Sequence, residues 1–309
     1  MEIYYKTVPH ELNALYHYTS QRGMMSMAQN GNLWLTNLLY MNDSTEYIFS
    51  LEYIKTKLKD LYEVEIKTSS AGSYTVLEAY CYGVEAKINA GVHHNVVQAF
   101  SFSLSEREDS LSQWRGYCPD GGYAISFFEN KAFSRSQLCR MIDTNDLFIG
   151  KCLYTDTEHK TLLYEHIVGH TPESFLDYMD DTRRDSTKQV KSQGKYFLLD
   201  KILKNILTYA PFIKHNKFQD EQEWRIIASS DNQNYKRLIK FREGKGFIVP
   251  YLEIPLVEKD DQGELPWVQI DEIIVGPSPH RDLAVNACQL FRAESTTKVT
   301  SSSIPYRNW

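Results

Sequence analysis

The sequence predicts an α+β fold organised on a mixed or antiparallel sheet. Two observations predict it: strand-like runs recur toward both ends, and helical stretches concentrate in the middle of the chain. No linker, internal repeat or low-complexity segment divides the 309 residues. The expected organisation is therefore one domain, 1–309, with a helical insertion at about 157–210.

Each element has a local reason. Leu15 to Ser20 reads as a short strand running into a helix start, with Ser20 as cap, Met24, Met25 and Ala28 as the helix, and Gly31 as its stop. Asn32 to Thr36 reads as a second strand. Asp43-Ser44-Thr45-Glu46 has the form of a capping box. It opens a helix whose Tyr47, Leu51, Ile54, Leu58 and Leu61 recur at three- and four-residue spacing. A loop at 67–73, a helix at about 74–90 closed by Gly91, and a strand at 95–104 follow. Asp109 to Tyr117 is a short helix bearing Trp114, and Pro119-Asp120-Gly121-Gly122 turns the chain into a strand at 123–128. A strand at about 147–154 precedes helical stretches at 157–180 and 187–210, the second broken by Pro211. Strands are expected at 222–229, 236–241, 246–253 and 270–276, then a helix near 280–292 and a last strand at 296–305.

Composition excludes several classes. At 42% apolar and 24% charged, the chain is neither disordered nor fibrous. There is no run of 18 apolar residues to span a membrane and no secretory start, so a cytoplasmic protein is expected. Five dispersed cysteines read as reduced thiols. A formal charge of −6 supplies no general field for nucleic acid, though a local basic groove remains compatible with it.

The sharpest constellation is Asp220-Glu221-Gln222-Glu223-Trp224-Arg225. On a strand, alternation would put Glu221, Glu223 and Arg225 on one face, where paired carboxylates raise the pKa of at least one of them. The competing structural reading is a solvated edge strand laced by an ion pair. His17 and Thr19 would share one face of the first strand and Tyr18 the other; a lone histidine also fits a satisfied structural role. In Phe100-Ser101-Phe102-Ser103-Leu104 the hydroxyls fall on one face and the rings on the other. His159, His166 and His170 lack a metal-binding order, and adjacent His93 and His94 point apart, so no metal is expected. Arg183 to Lys195 is a basic segment compatible with a phosphate-contacting patch, though a solvated helix surface is the first reading.

Taken together, Leu15-Tyr16-His17-Tyr18-Thr19, Met41-Asn42-Asp43 with Glu46, Phe100-Ser101-Phe102-Ser103, Trp114 with Tyr117, Gly122-Tyr123 and Glu221-Gln222-Glu223-Trp224-Arg225 resemble a bacterial family catalogued as a domain of unknown function. Its members often sit among phage-defence genes. The resemblance runs from about residue 14 to the C-terminus and is weakest between about 157 and 195. That family looks like a divergent branch of the ADP-ribosyltransferase superfamily.

The superfamily resemblance implies a split-sheet core and NAD as substrate. It also implies a first-position His17, a middle residue among Ser101, Ser103 and Tyr123, and a terminal Glu223. Glu223 would stabilise the oxocarbenium-like centre through the ribose 2′-hydroxyl, and Glu221 would orient or deprotonate the acceptor. His17 would bond the adenosine ribose, and Tyr18, Trp114 or Tyr123 would stack on nicotinamide. Thr19, with the helix start after it, and Arg225 complete the expected cofactor-binding set. The implied function is transfer of ADP-ribose to a nucleic acid or protein by a phage-defence toxin or effector, with partner proteins of a defence system. Plain NAD hydrolysis and a catalytically inactive nucleotide- or partner-binding module are the alternatives.

Overall fold

The computed structural model describes residues 4–5, 14–41, 44–68, 99–127, 137–145, 147–168, 204–229, 238–244, 246–257, 268–293 and 295–305. The expected helix at 74–90, the loop residues 69–73, His93, His94, His170 and the basic segment 183–195 lie outside them.

The strands are β1 (Tyr4–Tyr5), β2 (Tyr16–Thr19), β3 (Asn32–Asn37), β4 (Ala99–Ser105), β5 (Tyr123–Ser126), β6 (Phe148–Lys151), β7 (Glu223–Ser229), β8 (Ile239–Glu243), β9 (Ile248–Pro255), β10 (Glu272–Val275) and β11 (Lys298–Ser301). The helices are α1 (Gln21–Asn30), α2 (Ser44–Thr68), α3 (Leu111–Tyr117), α4 (Gln137–Thr144), α5 (Asp156–Leu162) and α6 (Arg281–Phe291). The α+β expectation holds, on a mixed sheet in which β10 and β11 run parallel, joined through α6. The remaining strand pairs are antiparallel.

Local chemistry explains the first turns. Ser20 caps α1 by accepting from the Gly23 amide, and Gly31 ends it at φ 64°, a left-handed conformation that costs glycine little. The stripe Tyr47, Leu51, Ile54 and Leu58 of α2 is buried as its spacing predicts. Leu61 and Asp43 fall outside the residues whose side chains are described.

The main sheet runs β1-β6-β7-β4-β2-β5-β10-β11, and it forks at β4. One edge of β4 pairs along its length with β7. The other edge is shared. Near the start of β4, β3 pairs through Thr36 with Ser101 and leads on to β9 and β8; near its end, β2 pairs through Tyr16 with Ser105. Ser103 lies between the two, facing neither strand.

Helices cover both faces. On one, called the back, α1, α4 and α6 bury Met24, Met27, Leu138, Ile142 and Cys288 against Leu33, Phe102 and Ile125. On the front, α3 packs Trp114 and Cys118 on Tyr16 and Tyr18. Also on the front, α2 packs on Ala99, Leu153, Ile206 and Ala210. Within the expected insertion, α5, a π-helical turn at Leu163–Val168 and a helical stretch at 204–209 are described. Pro211 ends the last of these in a short 3-10 turn, Ala210–Phe212.

Candidate functional site

The fork in the sheet creates the site. A cavity of about 890 Å³ lies there, within the ~300–1,000 Å³ typical of small-molecule pockets. Its lining includes His17, Tyr18, Thr19, Ser101, Ser103, Glu221, Glu223 and Arg225 from the sequence-derived set. It draws on both faces of the sheet. Ser105 pairs with both Tyr16 and Glu223, so those residues share the front. His17, one residue on, projects to the back, where its ring stacks on Phe102 with centroids 4.1 Å apart. The imidazole and the carboxylates therefore meet the cavity from opposite sides of the fork.

His17 also repairs the fork. Ser103, left between β2 and β3, offers its carbonyl to His17 Nδ1 at 2.8 Å. A carbonyl only accepts, so Nδ1 carries the hydrogen and Nε2 keeps its lone pair. Burial lowers the His17 pKa to about 4, so the ring is neutral near pH 7.

The acidic end differs from the strand expectation. Glu221 is not on β7: it ends a 3-10 turn, Asn216–Glu221, and Gln222 follows at φ 42°, a left-handed conformation rare outside glycine. That kink, not strand alternation, brings Glu221 and Glu223 to the same partner, Lys214 Nζ, at 2.8 and 2.7 Å. Nor is Glu223 on a solvated edge. β7 lies between β6 and β4, and Glu223 is only 3% exposed.

Its two oxygens are fully engaged. Oε1 accepts from Arg225 Nε at 2.8 Å, and Oε2 accepts from Lys214 Nζ and from Arg225 Nη2 at 2.9 Å. The neighbouring cations hold its pKa far below the usual carboxylate range against the opposing effect of burial. Arg225 is equally occupied: beyond Glu223 it donates to the Pro211 carbonyl and to Glu46 Oε2, both at 2.7 Å. Glu221 is different. Burial raises its pKa, and among the described residues only its Oε2 has a partner.

Three residues at the site are given no role in its chemistry by the sequence. Lys214 is 1% exposed and touches Glu46, Glu221 and Glu223. It is delivered by the end of the insertion, where Leu153 bridges Ile213 and the Lys214 amide donates to the Leu153 carbonyl at 2.9 Å. The available signal was a lysine straight after the apolar run Ala210-Pro211-Phe212-Ile213. Glu46, expected as part of a helix cap, turns its carboxylate to Lys214 and Arg225 instead. Tyr117 lines the cavity, its pKa raised by burial and then by the nearby Glu223 and Glu221. Its signal was the three-residue spacing from Trp114, which puts the two on one stretch of α3.

The stacking candidates are not brought together. Trp114 is buried beneath the front of β2, edge-on to Tyr18 and bonded through Nε1 to Asp109 at 2.7 Å. The Tyr18 hydroxyl donates to the Arg107 carbonyl at 2.7 Å, so its ring belongs to the same packing. Tyr123 sits in the back core. Of the three, Tyr18 lines the cavity, whereas Trp114 and Tyr123 are not among its lining residues. Thr19 and Gly23 do line the cavity, at the start of α1.

The histidines set aside in the sequence have structural surroundings. His159 bonds the Leu153 carbonyl at 2.7 Å and meets Tyr53 edge-on, and His166 packs on Tyr209. Among the described residues no group of three or more His, Cys, Asp or Glu side chains is arranged to hold a metal ion.

The stretch from α3 to the middle of β7 carries most of these groups, and that stretch is the one with a known counterpart. Residues 113–226 match the family described as Protein of unknown function (DUF2971). The match spans Trp114, Tyr117, Lys214, Glu221, Glu223 and Arg225, and it stops short of His17 and β2. No curated protein and no solved structure matches the chain. Among the described residues no helix is long and apolar enough to cross a membrane.

Proposed function

We propose that the chain is an NAD-consuming enzyme that transfers ADP-ribose to a macromolecular acceptor, a nucleic acid or a protein, as an effector of bacterial defence. One observation carries the reading. A neutral histidine near the start of the chain and a late pair of glutamates line a single cavity at the fork of a split sheet, beside the hydroxyls of Ser101 and Ser103.

The chemistry assigns roles. When the bond from ribose C1′ to the nicotinamide nitrogen breaks, its electron pair stays on the nitrogen and the sugar gains oxocarbenium character. Three carboxylates, Glu46, Glu221 and Glu223, surround two cations, Lys214 and Arg225, leaving one negative charge in excess to oppose the developing positive charge. Glu221 has an oxygen without a partner among the described residues and a raised pKa, so it is the carboxylate suited to accept from a ribose hydroxyl or to take the acceptor's proton. Glu223 fixes Lys214 and Arg225 and keeps its charge. His17 Nε2, an acceptor only, suits a ribose hydroxyl donor.

The binding-module alternative has its own support in the saturation of Glu223 by Lys214 and Arg225. Nicotinamide release from NAD separates the two. The enzyme reading expects release by the wild type in the presence of DNA, RNA or protein acceptors, and a fall of at least a hundredfold in Glu221→Gln with folding intact. Equal release by both proteins, or none by the folded wild type, rejects it. Loss of NAD without labelled acceptor identifies hydrolysis instead.

A further inference from the structure

Four side-chain atoms of cavity-lining residues are sealed from solvent and have no hydrogen-bond partner among the described residues: Ser101 Oγ, Ser103 Oγ, Tyr47 Oη and Arg242 Nε. Native proteins rarely leave such groups unmade, so each calls for a reason. All four can donate, and the guanidinium can do nothing else. A ligand that satisfies them is rich in acceptors.

Arg242, on β8 and partly buried, differs from the cations beside the carboxylates. Lys214 and Arg225 are ringed by carboxylates, and Lys240, two residues along the same face of β8, is paired with Glu253. Arg242 has no ion pair among the described residues and makes one side-chain hydrogen bond, from Nη2 to Thr36 Oγ1 at 3.2 Å. Its neighbour Glu243 takes the opposite face of the strand. Thr36 stands directly across from Ser101, so the guanidinium and two hydroxyls form one group on the front of the fork. Trp34 and Tyr251, rings 4.9 Å apart, stand beside it. The acid cluster lies the other way along β4. Glu223 faces Ser105, four residues from Ser101, or about 13 Å at ~3.3 Å per residue. The cavity thus has the Arg242 guanidinium, with Glu243 also in the lining, at one end and the Glu46, Glu221 and Glu223 cluster at the other.

We propose that Arg242, Thr36 and Ser101 form an oxyanion subsite that holds the phosphates of a nucleotide whose far end reaches the carboxylates. The subsite rests on the reading that the cavity takes a nucleotide, but it requires no turnover. An unpaired, partly buried guanidinium is tolerated because a phosphate completes it, in the forked geometry that arginine offers and lysine does not.

Calorimetric titration of the full chain with ADP-ribose and with adenosine tests this. The wild type is expected to bind ADP-ribose at least tenfold more tightly than adenosine. Arg242→Gln is expected to remove that preference and leave adenosine binding unchanged, and Arg242→Lys to restore part of it. Without ligand, Arg242→Gln should melt close to the wild-type temperature, because the side chain removed has no ion pair among the described residues and gives up one hydrogen bond, to Thr36. Retention of the preference in Arg242→Gln, or no binding of either compound by the folded wild type, overturns the subsite. Nicotinamide release is not part of the readout, so a protein that binds ADP-ribose through Arg242 but never cleaves NAD refutes the enzymatic reading and leaves the subsite standing.

Discussion

Lys214→Met removes the cation around which the acidic end is organised. In the folded protein Lys214 Nζ lies 3.1 Å from Glu46, 2.8 Å from Glu221 and 2.7 Å from Glu223, and the side chain is 1% exposed. Methionine fills nearly the same volume, so little cavity forms and the loss is electrostatic. Removing one partner from a buried ion pair leaves an uncompensated charge and costs about 3–5 kcal/mol. Here Glu46 and Glu223 keep only Arg225, and Glu221 loses the one cation its carboxylate contacts among the described residues. That cost is a large share of the roughly 5–15 kcal/mol by which a domain is stable. Urea denaturation near pH 7 should show a lower midpoint with an unchanged slope, and adding Glu223→Gln should restore part of the loss. The pH dependence has a definite sign. The Glu223 pKa is depressed in the folded wild type, so its contribution is present above the ordinary carboxylate range and is lost as pH falls through the folded value. Without Lys214 that depression shrinks, and the stability gap between variant and wild type should narrow as pH is lowered. Equal midpoints near pH 7 would refute the view that Lys214 neutralises this cluster.

Two further outcomes concern the scaffold of the site. The His17 pKa is lowered by burial from 6.5 to about 4, so the unfolded chain binds the proton more readily; stability should fall by about 3 kcal/mol as pH drops from above 6.5 to below 4. Stability measured across that window should be flatter in His17→Phe, which keeps the stacking on Phe102 and cannot protonate. Tyr154→Phe strips the buried Glu223 amide of its 2.9 Å acceptor and should cost about 1–3 kcal/mol, read by thermal melting, with nearly unchanged secondary structure.

The sequence reading succeeded where one local rule was enough. Ser20 and Gly31 bound α1 because capping and the left-handed stop depend only on neighbours. Tyr47, Leu51, Ile54 and Leu58 face the core because the helical period decides it. It failed where the decisive partner is remote. Glu221 and Glu223 look like one strand face, yet Gln222 turns out of the strand, and no propensity announces a left-handed glutamine. Lys214 was invisible because its value comes from three carboxylates that tertiary packing gathers, one of them 168 positions away in α2. Glu46 fitted a capping box so well that its long-range role went unnoticed. Trp114 and Tyr123 were plausible stacking rings by type alone, but the sheet assigns them to its two opposite cores. α4, a short amphipathic helix of the back layer, was not expected, because its eight residues hold too few turns for the period to stand out.

What remains is whether one bound molecule touches both sides of the fork. The imidazole of His17 reports this in a nitrogen NMR spectrum recorded while NAD is titrated into Glu221→Gln, where turnover is suppressed. A neutral ring with hydrogen on Nδ1 should be present before ligand, and the Nε2 resonance should shift with the same midpoint as the overall binding. Saturation of the protein with no movement at that nitrogen would contradict the account.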